Sequence, residues 1–182
     1  WLRQCGLEAA IHKAADAGTL VFGVCGGYQM LGRTVFDPEQ VEAAGTTEIL
    51  GMGLLEMDTI FLGEKVQAQT TGVFAGISGV LSGLNGMSYS GYEIHMGRSE
   101  EEMPALTGTG NVYGSYVHGV FDASGISDTI LKALCVRKGI DFDALETFDI
   151  SEYKEHQYDL LADAVRSGLD MEFIYRVLNR EL

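Results

Sequence analysis

Apolar and polar positions recur with two different periods along this chain, and the change of period divides it into elements. In residues 2–17, Leu2, Leu7, Ile11 and Ala14 fall on one face at helical spacing, and Gly18 stands where a helix end favours a left-handed residue. This predicts a helix. Residues 19–24 follow as a continuous apolar, β-branched run, the pattern of a strand buried on both faces of a parallel sheet. Helix and strand together make half a βαβ unit. The run ends at Cys25-Gly26-Gly27, and residues 28–32 predict a short helix closed by Gly32.

Beyond residue 51 the period becomes two. Residues 55–60 and 65–70 alternate in character, predicting a pair of antiparallel strands with one wet face and a turn at Gly63-Glu64. Residues 73–87 are rich in Gly and Ser and predict no element. Residues 89–96 and 112–117 return to strand composition, so the expected sheet is mixed. Residues 127–138, 151–166 and 170–179 predict three helices, opened by the capping types Ser127, Ser151 and Asp170, with Leu160, Leu161, Ala164 and Val165 as a core stripe. Glu100-Glu101-Glu102 reads as a solvated loop.

Composition narrows the partners. A length of 182 residues suits one domain, or one domain with an added terminal subdomain, and a hydrophobic fraction of 46% with 21% charged residues excludes disorder. The net charge of −14, with no basic run, argues against a nucleic-acid surface. No apolar stretch approaches the roughly 20 residues of a membrane-spanning helix, and residues 1–4 lack a signal-peptide pattern. A cytoplasmic protein with no membrane partner is expected. Cys5, Cys25 and Cys135 form no Cys-x-x-Cys pair, and the four histidines are scattered, so neither a disulfide framework nor a metal site is expected.

Gly23-Val24-Cys25-Gly26-Gly27 has the form of a nucleophile elbow, in which small neighbours let a strand turn sharply into a helix. A cysteine on such a turn faces backbone N–H groups that can stabilise an oxyanion, which suits acyl transfer through a thioester. The alternative is a small buried cysteine among glycines that only permit close packing; the strand before and the helix after favour the elbow. Cys5, within the predicted first helix, and Cys135 are expected in the core. A cysteine nucleophile needs a base, and His118 ends the strand-like run 112–117, so the two strand ends can meet on one sheet edge. Gly91 is expected to break its strand, with Glu93 and His95 on a shared face. With Tyr92, they would line the mouth of a site or form a solvent-facing edge.

Residues 21–32 (VFGVCGGYQMLG), 91–98 (GYEIHMGR) and 114–122 (GSYVHGVFD) resemble, in that order, the amidotransferase part of the cobyric acid synthases. Asp37-Pro38, Val41-Glu42, residues 51–55, residues 158–163 and Leu169-Asp170-Met171 extend the resemblance over nearly the whole chain. It implies a class I glutamine amidotransferase-like α/β fold across residues 1–182: a flavodoxin-like mixed sheet flanked by helices, with a C-terminal helical extension. It further implies Cys25 as nucleophile, His118 as base, the Gly26 N–H as an oxyanion donor, and Gln29 as the residue holding the amino-acid end of the substrate glutamine. The family passes ammonia to an ATP-dependent synthetase domain that amidates carboxylates of a corrinoid acceptor, adenosylcobyrinic acid a,c-diamide. That domain, with its ATP and Mg, and the first strands of the amidotransferase domain are expected upstream of Trp1, so the domain is expected to be truncated at its N-terminus. No cofactor is expected in this chain, which has no G-x-x-x-x-G-K-[ST] loop.

One departure stands out. Most triad amidotransferases read His-Pro-Glu where this chain reads His118-Gly119-Val120, as its subgroup does, which leaves the partner that orients His118 open; Glu93 and Asp122 are the nearest candidates. Other readings keep the fold but change the pathway, to a cobyrinic acid a,c-diamide synthase or a cell-wall precursor amidotransferase subunit, although residues 92–98 favour the first. A cysteine hydrolase of esters or peptides, or a catalytically silent docking module, would be separated by a glutaminase assay.

Overall fold

The first helix starts later than its periodicity predicts, because Gly6 adopts a left-handed φ of 80° and the residues before it fold into a turn. In the computed structural model, which describes residues 1–42, 44–99, 104–144 and 150–181, α1 spans Leu7–Asp16. The Cys5 N–H donates to the Trp1 carbonyl at 3.0 Å. Cys5 therefore lies in this turn and is exposed, not in the core as expected, with its thiol 3.4 Å from the Leu2 carbonyl. Cys135 is buried as its neighbours predict.

The chain divides into two compact units, Trp1–Ala144 and Leu145–Leu182. In the first, β1 (Val21–Val24) pairs in parallel with β7 (Val112–Ser115), which pairs antiparallel with β6 (Thr107–Thr109), giving the order β1-β7-β6. The two-residue period of β7 and the residues after it explains how one strand serves two cores. Tyr113 and Val117 face a cluster with Phe74, Leu81, Leu84 and Ile126. Val112 and Tyr116 face another with Tyr28, Leu31, Leu55 and Met57. The first cluster owes Leu81 and Leu84 to a 3-10 turn, Gly79–Leu84, inside the segment whose sequence predicted nothing.

A second sheet has the order β3-β2-β4-β5, built from β2 (Thr34–Phe36), β3 (Glu48–Leu50), β4 (Asp58–Val73) and β5 (Ser88–Arg98). Only β2 and β4 run parallel, so this sheet is mixed as well. Of the two alternating segments expected to form a hairpin, all of residues 65–70 and the last three residues of 55–60 lie in the one strand β4. Gly63-Glu64 does not turn the chain; it lies where the register with β5 shifts between Phe61 and Val66, so the interruption is a bulge-like irregularity within one strand. Gly91 likewise does not break β5, but pairs with Thr70 inside it.

Helix α2 (Gly26–Leu31) follows β1 directly, and α3 (Ile126–Lys138) closes the first unit's main run of elements. Glycines with left-handed backbone, Gly125 and Gly139, flank α3, and Ser127 donates its hydroxyl to the Phe121 carbonyl at 2.9 Å instead of capping the helix. In the second unit α4 (Ile150–Gly168) precedes α5 (Met171–Leu178), whose Asp170 carboxylate accepts from the Phe173 N–H at 3.0 Å, the cap its sequence predicts. Leu160, Leu161 and Val165, expected in a core stripe, are exposed. Glu100-Glu101-Glu102 lies outside the described residues. Among the described residues no helix is long and apolar enough to cross a membrane.

Leu81 is 1% exposed within the larger cluster. Leu81→Ala is expected to lose about 2–5 kcal/mol of stability by lost burial and a residual cavity, read as a fall in the midpoint of denaturant unfolding.

Candidate active site

The ladder between β1 and β7 continues one bond past the end of β1, where the Cys25 N–H donates to the Ser115 carbonyl at 2.8 Å. The backbone then breaks direction. Cys25 has φ 52° and ψ −113°, a combination that a residue with a side chain rarely adopts and that costs roughly 1–3 kcal/mol where the surroundings enforce it. Helix α2 starts at the next residue. Gly23 explains why the turn closes: a Cβ there would lie 2.7 Å from the carbonyl carbon and oxygen of Gly27. The glycine thus permits the first turn of α2 to pack on β1, leaving the Cys25 thiol half-buried at the junction.

A cavity of about 400 Å³ opens beside this turn. Cys25, Gly26 and Gln29 all line it, so three of the four residues singled out from the sequence share one space. Its other walls include the apolar Phe61, Ile94 and Met96, the charged Glu42 and Lys65, and His95. A separate cavity of about 380 Å³ beside Trp1, Leu50 and Met52 is mainly apolar and holds no cysteine. Among the described residues, no group of three or more His, Cys, Asp or Glu is placed to hold a metal ion.

His118 does not line the 400 Å³ cavity; the edge of β5 links it to Cys25. On this edge strand the backbone groups of alternate residues point away from β4. Tyr92 uses its pair to bridge His118, with Tyr92 N–H to His118 carbonyl at 3.1 Å and the reciprocal bond at 2.8 Å. Two residues on, the Ile94 carbonyl accepts from the Cys25 thiol at 3.8 Å. The His118 backbone and the Cys25 thiol are therefore tied to points about 7 Å apart along one strand. No hydrogen bond joins Cys25 to His118 among the described residues, and the His118 Nε2 is buried without a partner. The His118 ring lies against Tyr92, centroids 5.0 Å apart and planes 8° apart.

Below the cavity runs a polar network. Gln29 is buried, and its Nε2 donates to the Tyr116 hydroxyl at 3.4 Å; that hydroxyl also bonds Ser99 at 2.7 Å, which in turn bonds Thr59 at 2.9 Å. His95 stacks on Tyr116 at 3.9 Å, with Nδ1 2.6 Å from the Gly97 carbonyl and Nε2 3.2 Å from Glu93. Glu93 and His95 do share a face, and His95 at 4% exposure is a cavity wall, not a solvent edge. Residues 61, 65 and 96 went unnoticed as site residues because lining depends on where the bulge of β4 meets β5. The Tyr92 stack was equally hidden, since it joins segments 26 positions apart through backbone bonds.

The strained turn at Cys25, between a strand and a helix and beside a cavity, has the strand–turn–helix geometry that a nucleophile elbow requires. Residues 1–126 match the family model described as the CobB/CobQ-like glutamine amidotransferase domain, and the chain belongs to that family. Curated proteins similar to it include the cobyric acid synthases of Lachnoclostridium phytofermentans, 48% identical over 98% of this chain, and of Ruminiclostridium cellulolyticum, 45% identical over 98%. A third, from Dehalococcoides mccartyi, is 42% identical over 98%. The chain spans 39%, 38% and 38% of the length of these three proteins. A solved structure described as a glutamine amidotransferase overlaps 76% of the chain and 71% of its own at 18% identity, with a TM-score of 0.43.

Gly91 gives β5 its close approach to His118: a Cβ there would collide with the His118 carbonyl oxygen and lie 2.6 Å from Val117 Cγ1. Gly91→Ala is therefore expected to destabilise the protein by about 1–3 kcal/mol through overpacking, measured as a lowered thermal unfolding midpoint.

Proposed function

We propose that this chain hydrolyses glutamine to glutamate and ammonia at Cys25. The observation that carries the reading is the Cys25 backbone, φ 52° and ψ −113°, which presents a thiol at the mouth of α2 and on the wall of the 400 Å³ cavity. Sγ attacks the side-chain amide carbon of glutamine as His118 Nε2 takes the thiol proton. The tetrahedral oxyanion accepts a hydrogen bond from the Gly26 N–H, which opens α2. His118 returns the proton to the amide nitrogen, ammonia leaves, and a γ-glutamyl thioester remains. Water, deprotonated by the same histidine, then attacks the thioester carbon; the C–S bond breaks, glutamate leaves and Sγ takes the proton back from His118. Gln29, on the cavity wall and braced by Tyr116, holds the amino-acid end of the substrate.

The similarity to cobyric acid synthases extends the proposal to the whole protein. The ammonia passes to an ATP- and Mg-dependent synthetase domain, which amidates side-chain carboxylates of adenosylcobyrinic acid a,c-diamide in cobalamin biosynthesis, in the cytoplasm. No residue of this chain is assigned to ATP or Mg.

In the full-length protein, Cys25→Ser is expected to abolish glutamine-dependent amidation while ammonia-dependent amidation persists. Equal loss of both in a folded variant would contradict the assignment. His118→Ala is expected to lower glutaminase turnover by a factor on the order of 10²–10⁴, the range of general acid–base catalysis, and unchanged turnover would remove the histidine from the mechanism.

A further inference from the structure

In a catalytic triad a carboxylate holds the histidine ring in place and stabilises the imidazolium that forms when it takes the nucleophile's proton. The position two residues after His118 is Val120, a buried aliphatic side chain. Glu93, one of the two carboxylates weighed as the partner of His118, has its Oε2 3.2 Å from His95 Nε2. The ring of His118 meets a different group. Tyr92 lies against its face with centroids 5.0 Å apart and planes only 8° from parallel.

We propose that Tyr92 is the positioning residue of His118, its aromatic face taking the place of the triad carboxylate; the inference rests on the Cys25–His118 reading above. Backbone and side chain act together. The reciprocal bonds between Tyr92 and His118, 3.1 and 2.8 Å, fix the two Cα atoms opposite one another, and the glycine at position 91 lets the strands come this close. With the backbones fixed, stacking restricts rotation of the imidazole. It uses the face of the ring and neither nitrogen, and Nε2 is buried with no other partner. That atom is thus left for the proton of the Cys25 thiol. As Sγ bonds to the amide carbon, the proton moves to Nε2 and the ring becomes a cation against an aromatic face, an arrangement favoured within about 6 Å of the centroid. Tyr92 would then favour the charged intermediate as a carboxylate does, without a hydrogen bond.

The test is steady-state glutamine hydrolysis by the full-length protein and four variants, Tyr92→Phe, Tyr92→Leu, Asp122→Asn and His118→Ala, with ring-proton shifts of His118 followed in histidine-labelled protein. Tyr92→Leu is expected to lower kcat about tenfold, the scale of a lost ring–cation and stacking contact, with little change in KM. Tyr92→Phe keeps the face and is expected to stay within about twofold of the unsubstituted protein. In the unsubstituted protein and in Tyr92→Phe the His118 ring protons should be shifted upfield by the neighbouring ring current, a readout that holds even where Tyr92→Leu fails to fold. Unshifted His118 protons, a Tyr92→Phe variant with a defect equal to that of Tyr92→Leu, or a tenfold kcat loss in Asp122→Asn with Tyr92→Leu unaffected would overturn the inference. Full activity of Tyr92→Leu with an inactive His118→Ala would also overturn it while leaving the dyad intact. Full activity of His118→Ala would sink the dyad and the inference together.

Discussion

The free edge of β5 is the constraint on which the site depends. An edge strand carries a row of unpaired N–H and C=O groups that must be satisfied or covered. Here two successive outward positions are used on the neighbouring sheet: Tyr92 bonds the backbone of His118, and the Ile94 carbonyl faces the thiol of Cys25. Both residues lie just beyond the carboxyl ends of parallel strands β1 and β7, where open α/β sheets place their ligands. One strand edge thereby sets the spacing of Cys25 and His118, and Gly91 is the residue that lets it come near.

The remainder of the structure stiffens that arrangement. β7 is buried on both faces, with Tyr113 fully enclosed on one side and Tyr116 against Tyr28 on the other, so the strand leading to His118 has little freedom to shift. The strained backbone at Cys25 is held between the ladder bond to Ser115 and the close contact of Gly23 with Gly27. Beneath the cavity, the bonds among Gln29, Tyr116, Ser99 and Thr59 satisfy polar groups that would be costly if left alone, and they fix one wall by geometry instead of by apolar contact. Rigid placement of this kind is what lets backbone N–H groups stabilise a developing oxyanion without reorganising at the moment of reaction.

The parts of this site that were legible in the sequence are those written in side-chain pattern over short range. The apolar run into Cys25, the glycines about it and the cap at Asp170 each act within a few residues. The hairpin expected at Gly63-Glu64 failed because turn-type residues also suit an irregularity within a strand, and only pairing with β5 decides between the two. Cys5 was misplaced because apolar periodicity reached back past Gly6, whose left-handed backbone stops the helix. The link between Cys25 and His118 was invisible for another reason. It runs through backbone atoms of Tyr92 and Ile94, and peptide groups carry no residue signature. Glu93 was weighed as the partner of His118, yet its carboxylate meets His95, two positions along the same strand face.

Competition among the three cysteines tests the central claim most directly. Exposure alone would make Cys5 react first, since it is exposed, Cys25 is half-buried and Cys135 is buried. A glutamine-mimicking diazoketone, added at limiting amount to the full-length protein and mapped by peptide mass spectrometry, should instead modify Cys25 ahead of Cys5, and excess glutamine should protect Cys25 alone. Preferential labelling of Cys5, or labelling of Cys25 that glutamine leaves unchanged, would contradict a glutamine site built on the Cys25 elbow.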